Sequence, residues 1–359
     1  MDFSIFISHQ RLFPHERYGG NLYEDKLAEA KIADRCGFNC IWVPEHHLIQ
    51  YMQAPNGLLL LVHYAHHVKA PLGQMVNLLV YRHPLVAAGE IAQADALIGG
   101  RLQLGVGRGA YEYEFRRLGI PWDSAYDRFH ECLDVIETIW RHPDRGVAYQ
   151  GKFFQFETTF VWPRLVQKPH PPIWYAAMTP PAIEFAAKRG YHVATWPFLR
   201  PMSFVEEIVA KFHEAREAAG NAKGVQQFSL MRPVHVAETE KKARESVETM
   251  LVNHRLSQRI RGQNIVADDR GYVAPDPLPD EPTFEETFDR MIAGTPQQCL
   301  EKLHRYHELG VDQFMCWFDF GLETARNIDS MQLFAEEVMA PFRKATGRTP
   351  ALPRAVSTR

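Results

Sequence analysis

Short apolar runs alternate with segments of helical spacing along most of the chain. Strand-like runs stand at Phe3–Ser8, Asn39–Val43, Gln74–Val80, Arg101–Val106, Ile173–Ala177, His192–Trp196, Phe228–Ala237 and Gln313–Phe318. Between them, apolar residues recur every three or four positions over Leu22–Cys36, Asn56–Val68, Pro84–Ile98, Asp123–Trp140, Pro181–Arg189, Ser203–Ala219, Glu240–Asn253, Thr295–Leu309 and Ile328–Phe342. That spacing predicts helices. Ser203 and Thr295 read as N-caps, and Gly37 and Gly310 as stops. Continuous apolar strands alternating with helices imply a parallel sheet covered on its outside. Eight such units fit a closed (β/α)₈ TIM barrel. An open doubly wound sheet fits less well, because the first strand–helix turn, residues 8–21, lacks G-x-G-x-x-G.

The rhythm breaks twice. Residues 141–172 carry several glycines, prolines and aromatics and read as an excursion, with a small hairpin expected from Phe153–Phe156 and Phe160–Trp162. Residues 257–293 are polar and rich in Gly, Pro and Asp, too long for an ordinary connection, and read as a mobile lid inserted late in the barrel. The chain thus divides into one barrel unit, residues 1–344, and a flexible tail, residues 345–359.

Composition adds exclusions. The 359 residues are 46% hydrophobic and 23% charged with a net charge of −3, which gives no electrostatic case for a nucleic-acid or anionic-membrane partner. No apolar stretch approaches the roughly 18 residues of a membrane-spanning helix. The N-terminus shows no signal-peptide pattern. Five cysteines without a CxxC pair fit a reduced, cytoplasmic protein.

In a barrel the chemistry gathers where strands end. The second strand ends in Glu45-His46-His47, a carboxylate and two imidazoles able to handle protons. A metal reading stays open at this point, since His63 and His67 stand four apart on the next helix, although HYAHH lacks the glutamate of HExxH. The fourth strand ends in Gly107-Arg108-Gly109-Ala110-Tyr111, where glycines allow close approach and Arg108 suits an anion. The fifth runs into Thr179-Pro180-Pro181-Ala182-Ile183, a helix start whose N–H groups at Ala182 and Ile183 form an anion site. Asn77 reads as a polar barrel-interior residue, and Met75 and Trp196 as packing residues.

Taken together, IWVPEHH (41–47), YRHPLVAAGEIAQADALIGGRLQLGVGRGAYEYEFRRLGI (81–120), WYAAMTPPAIEFAAKRG (174–190) and GTPQQCLEKLHRYHELGVDQF (294–314) resemble the bacterial-luciferase-like flavin monooxygenases. The resemblance covers roughly residues 1–342. It implies reduced FMN at the barrel's C-terminal face and oxygenation of a small organic substrate with O₂ through a flavin C4a-peroxide. It also implies a separate flavin reductase and a homodimer. By match, His46 would act as acid/base, assisted by Glu45 or His47. Arg108, Ala110 and Tyr111 would contact the cofactor, Thr179 and the turn at Ala182 its phosphate. Met75-Val76 correspond to the family's strained peptide under the flavin, beside Asn77, and Trp196 would line the pocket. Two departures stand out: Gly107 replaces a luciferase cysteine, and of the hydroxyls of the phosphate turn only Thr179 remains. Two other readings share the barrel: a deazaflavin-dependent oxidoreductase and a non-catalytic flavin-binding barrel.

Overall fold

A computed structural model describes residues 1–14, 20–50, 52–221, 225–262 and 267–347. The strands are β1 (Asp2–Phe6), β2 (Ile41–Val43), β3 (Leu72–Leu78), β4 (Leu102–Gly107), β5 (Val147–Gln150), β6 (Gln155–Thr159), β7 (Ile173–Ala176), β8 (His192–Thr195), β9 (Phe228–Val236), β10 (Ile292–Gly294) and β11 (Gln313–Trp317). The helices are α1 (Leu22–Cys36), α2 (Gly57–Ala65), α3 (Pro84–Leu97), α4 (Glu112–Arg117), α5 (Ala125–Arg141), α6 (Pro180–Arg189), α7 (Met202–Ala218), α8 (Glu240–Arg244), α9 (Ser246–Arg261), α10 (Phe284–Arg290), α11 (Pro296–Glu308), α12 (Thr324–Phe334) and α13 (Ala340–Ala345).

Eight strands pair in parallel in the order β11-β1-β2-β3-β4-β7-β8-β9, and β9 pairs back to β11, so the expected barrel closes. The helices form where the sequence supplies ends for them. Asn21 accepts from the Tyr23 N–H at the start of α1, and Gly37 closes that helix in the left-handed conformation. Thr295 and Gln298 form a reciprocal capping box at α11. Trp42 and Trp174 meet edge-on inside the barrel at 5.6 Å, and Phe6, Met231, Met315 and Trp317 join their cluster. Gly73 is required there: a Cβ would come within 2.2 Å of the Trp42 ring.

Several expectations shift. The hairpin is antiparallel β5–β6, not Phe153–Phe156 with Phe160–Trp162. The Glu131 carboxylate accepts the N–H groups of Lys152, Phe153 and Phe154, which holds that stretch as a turn against α5. Ser203 lies inside α7, whose cap is Pro201. The region read as irregular after residue 256 is largely built. α9 runs on to Arg261, α10 opens with a Thr283–Glu286 capping box, and β10 adds to β9 beyond the barrel. Residues 263–266 of that segment and residues 348–359 of the expected tail lie outside the described residues. Among the described residues no helix is long and apolar enough to cross a membrane.

Candidate active site

Every barrel strand, or for β2 the stretch that follows it, lines one cavity of about 250 Å³ at the C-terminal mouth. Phe6 comes from β1, Met75 and Val76 from β3, Gly107 from β4, Ala176 from β7, Ala194 and Thr195 from β8, Met231 from β9 and Met315 from β11, while Glu45 and His46 follow β2. Of the residues singled out in the sequence, Glu45, His46, Met75, Val76, Arg108, Ala110, Tyr111, Thr179 and Trp196 line this space. His47, Asn77 and Ala182 do not.

The strand-end acid and imidazoles fall in two networks that His47 joins. His46 keeps about 14% of its side chain exposed and its Nδ1 lies 3.2 Å from Glu114 Oε1. Its ring packs against Tyr111 at 4.7 Å. Glu114 is fully buried; it also accepts the His47 backbone N–H at 2.6 Å and the Tyr81 hydroxyl at 3.2 Å. Burial, then the adjacent Glu114 charge, push the Tyr81 pKa upward, so its hydroxyl stays a donor. An ionised Glu114 places the proton of a neutral His46 on Nδ1 and leaves Nε2 as the acceptor.

Glu45 belongs to the second network. Its buried carboxylate accepts from Arg82 Nη1, from Gln74 Nε2 and from His47 Nε2, the last at 2.9 Å. The structure gives His46 a side-chain partner other than Glu45 or His47. Glu114 on α4 contacts it, because the second carboxylate is already engaged by Arg82. Asn77 donates to Gln74 Oε1 at 3.1 Å and so supports this network from the interior. Glu114, Arg82 and Gln74 were not legible as site residues. Each sits in a stretch whose local pattern is ordinary, and only a buried acid needing donors marks them.

The opposite rim is cationic. Arg108 stacks over Trp122 at 4.0 Å and Tyr126 at 4.6 Å, and its Nε donates to the Gly109 carbonyl at 3.2 Å. Burial pulls its pKa below the usual arginine value, and no carboxylate among the described residues pairs with it. Thr179 caps α6 without spending its hydroxyl on a backbone bond. Two prolines open this helix and Ile183 donates to the Thr179 carbonyl at 3.1 Å, so Ile183 is withdrawn from the expected anion site and Ala182 holds the first N–H of the turn.

The cavity fits a flat, phosphate-bearing group. A Cβ at Gly107 would lie 2.9 Å from Val76 Cγ2 and 3.4 Å from Ala176 Cβ, so the glycine keeps the floor open where the luciferases carry a cysteine. The Met75–Val76 peptide is cis. Thr195 Oγ1 and Trp196 Nε1 are buried at the cavity without a protein partner, which is where an acceptor-rich ligand would be received. His63 and His67 lie 5.5 Å apart edge-on, and no metal-holding cluster of His, Cys, Asp or Glu occurs among the described residues.

A family profile described as luciferase-like monooxygenase matches residues 1–313. This chain belongs to the luciferase-like monooxygenase family. Among its relatives is the oxygenase component of the flavin-dependent trigonelline monooxygenase of Acinetobacter baylyi, 30% identical over 95% of this chain and 96% of that one. The FMNH₂-dependent dimethylsulfone monooxygenase of Pseudomonas putida is 27% identical over 66% of each. Among solved structures, the monooxygenase RslO1 of Streptomyces bottropensis superposes with a TM-score of 0.81 at 25% identity, covering 95% of this chain and 100% of that one. The luciferase-like barrel thus carries, in this member, an aromatic-stacked arginine and a Glu114-held histidine at its mouth.

Proposed function

We propose that this chain is the oxygenase component of a two-component, FMN-dependent monooxygenase that oxygenates a small organic substrate. The observation that carries the reading is the cavity's polarity: a carboxylate-held imidazole, His46, on one wall and an acid-free guanidinium, Arg108, on the other. Arg108, Thr179 and the Ala182 N–H would hold the phosphate; Met75, Val76, Asn77, Ala110, Tyr111 and Trp196 would surround the ring or support those that do. Bound reduced FMN supplies the electrons that activate O₂ for insertion of one oxygen atom.

The chain's residues do the rest. His46 takes or returns a proton at Nε2 while Glu114 fixes its ring. Glu45 and His47 are positioning residues that anchor the strand end through Arg82. The described part of residues 257–293, which reaches the cavity at Arg261, would cover the mouth and exclude water. Reduced FMN comes from a separate reductase, in keeping with relatives named as oxygenase components or FMNH₂-dependent enzymes. The reading includes a homodimer working in the cytoplasm.

Titration with reduced FMN and with a deazaflavin, followed by O₂ uptake in the presence of a flavin reductase, tests it. Binding of FMN and consumption of O₂ are expected; binding of the deazaflavin alone would overturn it. Light scattering on the purified protein checks the dimer.

A further inference from the structure

Arg261 is a charged group of the cavity that the cofactor reading leaves unused. It ends α9 and lines the same space as His46. Its Nε is buried without a hydrogen-bond partner, and no carboxylate among the described residues pairs with it. Glu45, the acid of the cavity wall, is already engaged by Arg82, Gln74 and His47. A basic residue near a helix C-terminus complements the helix dipole. That accounts for its place in sequence but not for an unpartnered Nε turned away from water.

Arg261 lines the cavity in surroundings of its own. Arg108 is held by Trp122 and Tyr126. Ile260, which precedes Arg261, packs instead with Leu12, Met52 and Tyr111, and Trp196 joins that cluster. Tyr111 in turn packs on His46, so the residue before Arg261 sits in the cluster that backs the acid/base wall. Trp196 brings a second unpartnered donor there, its buried Nε1. Along α9, His254, Ser257 and Arg261 fall at i, i+3 and i+7, one face of the helix, and His254 Nδ1 and Ser257 Oγ are also buried without partners. Of these groups Arg261 and Trp196 line the cavity; a buried donor without an acceptor is uncommon in folded proteins, and two of them on one cavity would receive a ligand rich in acceptors.

Resting on the FMN-dependent reading above, we propose that Arg261, with the Trp196 indole N–H, selects a substrate bearing a carboxylate. A guanidinium meets a carboxylate with two parallel N–H donors, which gives orientation as well as charge. The apolar remainder of such a substrate would lie against Phe6, Met52 and Met315, beside His46.

Calorimetry on the full-length protein, with and without FMN, tests this with matched pairs: benzoate against benzamide, nicotinate against nicotinamide, phenylacetate against phenylacetamide. The wild type should bind at least one carboxylate roughly tenfold or more tighter than its amide. Arg261→Met should erase that preference while FMN affinity stays within about twofold, and Arg261→Lys should keep part of it. Trp196→Phe should weaken the carboxylate more than the amide. Absence of any preference in the wild type, or its survival in Arg261→Met, overturns the proposal. So does a loss of FMN affinity in Arg261→Met, which would assign the guanidinium to the cofactor. A wild type that prefers carboxylates yet binds no FMN would overturn the FMN reading and leave the carboxylate site standing.

Discussion

His46 Nδ1 lies 3.2 Å from the Glu114 carboxylate, 68 residues further along the chain. The contact joins the end of β2 to α4 and leaves Nε2 to the cavity. Replacing the acceptor by an amide should break this arrangement, because the amide nitrogen can donate to Nδ1 and move the ring proton. Glu114→Gln should therefore lower product formation by about a hundredfold while FMN still binds. Comparing product with hydrogen peroxide checks it, and unchanged coupling would remove the pair from the chemistry. His46→Ala should uncouple O₂ consumption from product in the same way.

Arg108 has its flat face against Trp122 and its charge unneutralised. Arg108→Met should weaken FMN by roughly tenfold to a hundredfold and leave riboflavin nearly unaffected, since only FMN carries the phosphate. Fluorescence titration with both flavins reads the difference. Equal losses for the two would place Arg108 on the ring instead.

Gly107 sits where a Cβ would press on the Val76 side chain. Gly107→Ala should cost about 1–3 kcal/mol of stability, measured by urea unfolding, and should raise the Kd for FMN further than that of a surface control. A variant as stable as the parent, with unaltered FMN binding, would show that Val76 yields.

Acid should destabilise the fold through its buried imidazoles. Burial pulls His9, His192 and His235 down from 6.5 to about 4. Between those values the unfolded chain binds more protons than the folded one, so stability is lost as pH falls from 6.5 to 4. Each contributes about 3 kcal/mol at the acid end. Glu29 acts in the opposite sense: burial raises its carboxyl from 4.5 to about 7, so its contribution falls as pH rises through that window. The imidazoles outweigh it, and the urea midpoint should drop on acidification. His192 Nδ1 accepts the Gln227 N–H at 3.0 Å, a bond an asparagine oxygen can accept. His192→Asn should flatten the acid limb, and parallel curves for the two proteins would count against this account.

Pattern along the chain was enough to read the barrel and the strand ends at its mouth. Apolar period and helix caps are properties of neighbouring residues, so the alternation of the eight barrel strands with their helices was legible, as were His46 after β2 and Arg108 after β4. Local pattern also misled where a contact from elsewhere held the backbone, as Glu131 does for residues 152–154. Tertiary structure alone decided the partners. Arg82 reaches Glu45 from 37 residues away, so the adjacent acid is spent and His46 takes Glu114. Arg261 enters the cavity only because α9 packs beside the barrel mouth. Such pairings follow from closure of the barrel, which brings strand ends together regardless of their order in the chain.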